Sequence, residues 1–197
     1  MNDATNALPR AGRIEGSERL IVVVGPSGAG KDSVLRAWLL GLDATERPHR
    51  ARRTITRPAD DASEDHEPVT EAAFDALLRD GAFAFTWAAH GLRYGVRHSE
   101  LQALRRGGWV VMNGSRRHLP QLLSGAPGCR VVEITAPEAV RAQRIAQRGR
   151  EHGAQLRERL EREAPATAIE PALRIVNAGD LREAAAALQA WWRAQQD

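Results

Sequence analysis

The stretch Gly25-Pro26-Ser27-Gly28-Ala29-Gly30-Lys31-Asp32-Ser33 constrains this 197-residue chain more than any other. It contains the only lysine, Lys31, in a chain with 28 Lys and Arg together. Everywhere else a basic side chain is arginine, so a lysine kept here points to work that arginine does badly. A compact ammonium on a flexible stem fits between phosphate oxygens inside a tight backbone loop, where a planar guanidinium is too wide. The spacing Gly-x-x-x-x-Gly-Lys is that of the phosphate-binding P-loop. Leu20-Ile21-Val22-Val23-Val24 before it reads as a buried parallel strand. Val34 to Leu40 after it reads as a helix, so strand, loop and helix stand in the order the motif needs. The loop N–H groups and the helix N-terminus then make an anion site.

One position departs from the usual pattern. Ser or Thr normally follows the lysine and its hydroxyl ligates Mg²⁺; here Asp32 follows, and Ser33 comes one later. Two readings of Asp32 stay open. It is a hard-oxygen group on the metal side, with Ser33 the hydroxyl nearby, or it complements the helix macrodipole.

Strand and helix patterns alternate along the rest of the chain, which argues for an α/β fold with a mostly parallel sheet between helical layers. Extended segments are expected at 49–56, 82–88, 109–112, 129–135 and 173–176. Residues 91–95 read as a turn, and 58–68 as a polar loop. Thr70 caps a helix that Gly81 stops, Ser99 with Gln102 and Asp180 with Glu183 read as capping boxes, and Pro137 suits a first helical position. Residues 1–18 read as a loose tail and 19–197 as a single domain. Two stretches interrupt the alternation: 49–98, where an acceptor-binding segment belongs, and the arginine-rich 141–162, where a closing lid belongs.

Composition limits the function classes. A net charge of +3 is too mild to argue for nucleic acid. Cys129 is the single cysteine, so no internal disulfide is expected, and no apolar run reaches membrane-spanning length. These features lead to the expectation of a cytoplasmic protein whose partner is a small molecule. They do not decide its oligomeric state.

The order of motifs resembles the guanylate-kinase branch of the P-loop kinases from about residue 19 to the C-terminus. The matching landmarks are the P-loop, Thr54-Ile55-Thr56-Arg57-Pro58, Phe83 to Trp87, His90 to Gly95, Gln147-Arg148-Gly149-Arg150 and Val176-Asn177. In that branch a Ser, two Arg and two Tyr hold the acceptor phosphate. By position Arg57 and Tyr94 are kept, while Arg53, Asp60 and His66 replace the others. The guanine-reading side chains become Thr86, Val96 and Ser115, which implies an acceptor other than GMP. The altered pattern resembles the ribose 1,5-bisphosphate phosphokinase family. Its marks here are Gly30-Lys31-Asp32-Ser33, Ile55-Thr56-Arg57-Pro58 with Glu64-Asp65-His66, Ala89 to Gly95, and Asn113-Gly114-Ser115-Arg116. The resemblance implies ATP- and Mg²⁺-dependent phosphorylation of ribose 1,5-bisphosphate, giving 5-phosphoribosyl 1-diphosphate and ADP.

The residue chemistry agrees with this implication. A phosphate acceptor is already anionic, so positioning and cations are needed rather than a general base. Lys31, Arg148 and Arg150 are the candidate catalytic cations, Arg148 and Arg150 having helix C-capping as their other reading. Gly25 through Ser33, Arg144 and Asn177 are the candidate ATP contacts, and Asp32 and Ser33 the metal-side pair. Arg53, Arg57, His66, Arg93, Tyr94, Ser115 and Arg116 are the candidate substrate contacts, since a bisphosphate needs cations at both ends. The alternatives are a guanylate or other small phosphate-acceptor kinase, and an inactive protein-binding module of the same fold. An intact P-loop argues against the last.

Overall fold

The structure is a computed structural model that describes residues 13–57, 65–89, 91–147 and 169–196. Its first sheet is built around β1 (Leu20–Val24), every residue of which is buried. The other strands are β2 (His49–Arg50), β7 (Val110–Asn113), β8 (Arg130–Thr135) and β9 (Leu173–Val176), in the order β2-β7-β1-β8-β9. All four pairings are parallel. The pleat sends alternate β1 side chains to opposite faces. Ile21 and Val23 join a core with α1 (Lys31–Leu40) and the last helix, α6 (Leu181–Arg193). Leu20, Val22 and Val24 join the core on the other side. Burying a side chain of this kind contributes about 1.5–3 kcal/mol, and β1 is buried on both faces because helices and the second sheet cover it. This three-layer arrangement places the P-loop at the carboxyl end of the central strand, where chain order reverses across the sheet. Open α/β sheets bind ligands at that crevice.

A second, smaller sheet occupies the expected acceptor-binding segment. Its order is β4-β3-β6-β5, from β3 (Arg53–Ile55), β4 (His66–Pro68), β5 (Phe83–Ala89) and β6 (Leu92–Arg97). Helix α2 (Glu71–Arg79) packs Phe74 flat on Phe83, ring centroids 4.7 Å apart. Thr70 caps it as expected, its side chain accepting from Ala73 N at 3.2 Å.

The structure departs from the sequence reading at several places, among them Pro137, which precedes rather than opens the helix that starts at Glu138. The 91–95 stretch is a turn only at Gly91, and β6 begins at Leu92. Gly95 reads as a turn signal but is a packing glycine: a Cβ there would lie 2.4 Å from the Phe83 ring. Residues 66–68 form β4 rather than loop, through parallel pairing with β3 that no local pattern announces. The Ser99 capping box is replaced by a 3-10 turn at His98–Leu101, which leads into the short α3 (Gln102–Arg105) without a side-chain cap. The described end of the N-terminal segment is docked: Ile14 N donates to Gly125 O at 2.8 Å, at the end of α4 (Leu119–Gly125). Helix α5 (Glu138–Gln147) completes the described α-helices. Among the described residues no helix is long and apolar enough to cross a membrane.

Candidate functional site

The loop between β1 and α1 is shaped by what stands behind it. Gly28 has φ +78°, and a Cβ there would lie 2.8 Å from the backbone oxygen of Arg141 on α5. Gly30, the N-cap of α1, has φ +82°, and a Cβ there would lie 2.5 Å from Asn177 Nδ2. A left-handed backbone and a close neighbour each demand glycine at both positions. The loop is therefore braced by α5 and by the residue after β9. Lys31 curls back across it, Nζ donating to the carbonyls of Gly25 at 2.9 Å and Pro26 at 3.2 Å. The ammonium thus sits at the loop, in front of the N-terminus of α1, where an anion is favoured.

Asn177 is 3% exposed and works as a brace. Its Nδ2 donates to Ala29 O at 2.8 Å, and its backbone N donates to Thr135 O at 2.7 Å. Arg144 Nη1 donates to Asn177 O at 3.0 Å. The two residues that the sequence placed near the nucleotide therefore meet each other and the loop. Arg141, which the sequence reading did not single out, is buried at the same place. Its signal was its spacing, one helical turn before Arg144 and on the same face. Arg148 and Arg150 lie outside the described residues, as do most of the expected lid and the glutamate of Glu64-Asp65-His66.

Asp32 stands in the first turn of α1 and meets two groups from neighbouring strands. Its Oδ1 accepts from Arg50 Nη2 at 2.9 Å, at the end of β2, and from Asn113 Nδ2 at 2.7 Å, at the end of β7. Arg50 was invisible to sequence reasoning, because only the β2-β7-β1 order brings it beside the P-loop. Ser33 is exposed on the same turn. Ser115 and Arg116 follow β7 and so stand at the same edge of the sheet. Ser115 Oγ lies 3.4 Å from His118 Nδ1. Burial, helped by the Arg117 charge, pushes His118 below the ordinary histidine range. Gly114 N donates to Val23 O at 2.8 Å, which fixes the start of that connection against β1.

Strand register sorts the remaining substrate candidates. Arg53 pairs with His66, Ile55 with Tyr94, and Arg53 and Ile55 share a face by their spacing of two. Arg53, His66 and Tyr94 therefore belong to one face of the small sheet. The Arg53 guanidinium lies over the Tyr94 ring at 5.4 Å. Tyr94 stacks on Trp87 with centroids 5.4 Å apart and planes 2° from parallel. Val96, on this same face by its spacing from Tyr94, is 0% exposed. Arg57 is half-buried in the turn after β3.

Arg93 belongs to the opposite face. It donates to Asp75 at 2.5 Å and Glu71 at 3.3 Å, both on α2, and lies 4.3 Å from the Phe74 ring centroid. Burial works against its charge, but the hydrogen bonds to Asp75 and Glu71 outweigh it and hold the pKa above its usual value. Arg97 shares this face and donates to Glu67. Glu67 also accepts from Thr54 Oγ1 at 2.7 Å. The Arg97 charge is thus already compensated by Glu67.

The residues present fit a magnesium ion in a limited sense. Among the described residues no group of three or more His, Cys, Asp or Glu converges. Magnesium bound with a nucleotide needs only one or two carboxylates beside the phosphates, and keeps several waters. Asp32 supplies one carboxylate. Asn113 Oδ1 nearby is buried and has no hydrogen-bond partner among the described residues.

No family model matches the chain. It is 43% identical over 175 residues to the ribose 1,5-bisphosphate phosphokinase PhnN of Methylobacterium radiotolerans, covering 89% of this chain and 97% of that protein. It is 46% identical over 152 residues to a bifunctional ribose 1,5-bisphosphokinase-thymidine phosphorylase of Azorhizobium caulinodans, covering 77% of this chain. The chain spans 22% to 26% of the length of three such bifunctional relatives. A guanylate kinase structure from Anaplasma phagocytophilum superposes with a TM-score of 0.61 at 18% identity, covering 96% of this chain and 88% of that one. That likeness establishes the fold as the P-loop kinase fold related to guanylate kinase.

Proposed function

The chain belongs to the ribose 1,5-bisphosphate phosphokinase family, and on that premise we propose that it transfers the γ-phosphoryl group of ATP to the 1-phosphate of ribose 1,5-bisphosphate. An oxygen of the 1-phosphate attacks the γ-phosphorus, the bond from that phosphorus to the β–γ bridging oxygen breaks, and ADP leaves. The products are 5-phosphoribosyl 1-diphosphate and ADP. The attacking oxygen is anionic at neutral pH, so no base is needed. What the protein must supply is alignment and positive charge.

The P-loop N–H groups and Lys31 bind and orient the ATP phosphates. Arg144 stands beside the loop, and Arg148 and Arg150 follow on the same segment as the proposed lid cations. Asp32 would stand on the metal side of the nucleotide, and magnesium, when bound, would supply positive charge that offsets the ATP phosphates. Arg53 and Arg57 hold acceptor phosphate, with Tyr94 and His66 as hydrogen-bonding neighbours and Ser115 and Arg116 on the facing edge. Arg93 contributes by tying β6 to α2.

One observation carries the choice of acceptor. The face with Arg53, His66 and Tyr94 has cationic and hydrogen-bonding groups for phosphate, but the position of a guanine reader is the wholly buried Val96. A site that reads a base needs polar groups turned toward it. The test is ³¹P NMR of the protein with Mg²⁺-ATP and either ribose 1,5-bisphosphate or GMP. Diphosphate doublets growing only with the ribose compound are the expected result. Turnover of GMP alone would overturn the acceptor assignment, and ATP binding without turnover of either would point to another phosphorylated sugar. Absence of ATP binding would favour a non-catalytic binding module.

A further inference from the structure

P-loop enzymes usually hold magnesium through the Ser or Thr after the P-loop lysine and through a second, acidic residue outside the loop. This chain has Asp32 in the first place, and β7, the strand next to the P-loop strand, ends in the amide Asn113. In the sequence these are unrelated departures 81 residues apart. In the fold they are one contact. Val23 of β1 stands opposite Asn113 of β7, so the end of β7 and the first turn of α1 meet, and Asn113 Nδ2 donates to Asp32 Oδ1 at 2.7 Å.

Two details give the contact a direction. Arg50 Nη2 donates to the same oxygen, Oδ1, at 2.9 Å, so among the described residues the hydrogen bonds of this carboxylate fall on Oδ1. Asn113 is 5% exposed, and its Oδ1 is buried without a partner among the described residues. Its amide cannot be turned over to cure this, because Nδ2 is committed to Asp32. An unpaired buried acceptor is costly unless a donor arrives. A partly exposed carboxylate oxygen beside a phosphate loop, next to a buried amide oxygen without a donor among the described residues, suits a hydrated divalent cation whose waters donate.

We propose that Asp32 and Asn113 have exchanged roles: the P-loop helix carries the metal-side carboxylate, and the strand end carries the neutral polar partner. Arg50 and Asn113 are positioning residues that hold Asp32 by Oδ1 and turn Oδ2 to the nucleotide-bound magnesium. Arg50 also offsets the negative charge that Asp32 adds next to the ATP phosphates. The proposal rests on the kinase reading for the nucleotide but not for the identity of the acceptor.

The test is calorimetric binding of ATP to the full chain, with and without Mg²⁺ and with no acceptor present, so nothing turns over. In the unaltered protein Mg²⁺ is expected to tighten ATP by about tenfold or more. Asp32→Ser should reduce that gain to about threefold or less while still binding ATP in EDTA, which shows the loop intact. Asn113→Asp alone places two carboxylates together and should melt earlier. The exchange variant Asp32→Ser/Asn113→Asp should recover the magnesium gain to within about threefold of the unaltered protein. Arg50→Met leaves the Asp32 charge uncompensated beside the phosphates and should weaken ATP binding in EDTA by about threefold or more. Should the exchange variant not fold, the isosteric Asp32→Asn carries the test, and it too should lose the gain. A full magnesium gain in folded Asp32→Ser or Asp32→Asn refutes the proposal. So does a folded exchange variant that recovers nothing. An unaltered protein that shows the gain but ignores ribose 1,5-bisphosphate refutes the acceptor assignment alone.

Discussion

Gly30→Ala should damage this protein through one identifiable contact. The backbone there is left-handed, at φ +82°, and the new Cβ would lie 2.5 Å from Asn177 Nδ2. A non-glycine residue in that conformation costs about 1–2 kcal/mol. Relieving the overlap pushes the Asn177 amide off Ala29 O, a bond of 2.8 Å in a residue 3% exposed, and breaking a buried bond of this kind costs about 1–3 kcal/mol. The expected loss is about 3 kcal/mol, which for a domain of this size lowers Tm by about 6–12 °C. Chemical denaturation of Gly30→Ala, Asn177→Ala and the double variant tests the mechanism. Asn177→Ala alone should cost about 1–3 kcal/mol because it leaves the Ala29 carbonyl unpaired. In the double variant the clash is gone and the methyl group meets Arg144 Nη1 at an ordinary 3.5 Å, so its loss should fall short of the sum of the singles by about 1–2 kcal/mol. Additive losses would refute the account, since they would mean that Asn177 does not feel the Gly30 side of the loop. The double variant should also recover ATP affinity relative to Gly30→Ala.

Further outcomes follow from the same geometry. Saturating ATP should raise the unfolding free energy by about 2.7 kcal/mol at a hundredfold excess over Kd; Lys31→Ala should lose this stabilisation in a thermal-shift assay, and Lys31→Arg should not restore it, because the fork is too broad for the loop. Arg53→Ala should raise the KM for ribose 1,5-bisphosphate about tenfold or more, whereas Arg93→Met should leave that KM within about threefold and cost about 1 kcal/mol of stability, more at low salt than at high. Burial pushes the Cys129 thiol up to about 11 from 9.0. The folded state therefore keeps a proton that the unfolded chain loses. Stability from this group is full below pH 9 and declines as pH rises through about 11. Denaturation curves across that window should be flatter for Cys129→Ala, and an unchanged slope would refute the assignment.

The strand–loop–helix unit at Leu20–Leu40 was legible in the sequence because its determinants are local. An apolar run, glycines at fixed offsets and a lysine at a helix start each act within a few residues. The same holds for the Thr70 and Asp180 caps, both of which accept a backbone N–H in the structure. Gly95 misled for a physical reason: glycine marks either a turn or a close approach, and only the Phe83 ring on the neighbouring strand decides which. β4 went unseen because a parallel edge pairing is supplied by its partner strand rather than by its own residues.

The sequence by itself determined that this chain carries a P-loop, which residues form it, and that arginine supplies most of its positive charge. Tertiary structure decided how the charges are used. Strand order placed Arg50 and Asn113 on Asp32, and register separated Arg53, His66 and Tyr94 from Arg93 and Arg97. The packing of α5 and Asn177 behind the loop made Gly28 and Gly30 obligatory. A local pattern can specify a conformation, because the conformation is set by neighbours in the chain. It cannot specify a charge's partner, because that partner is set by which distant strands lie side by side.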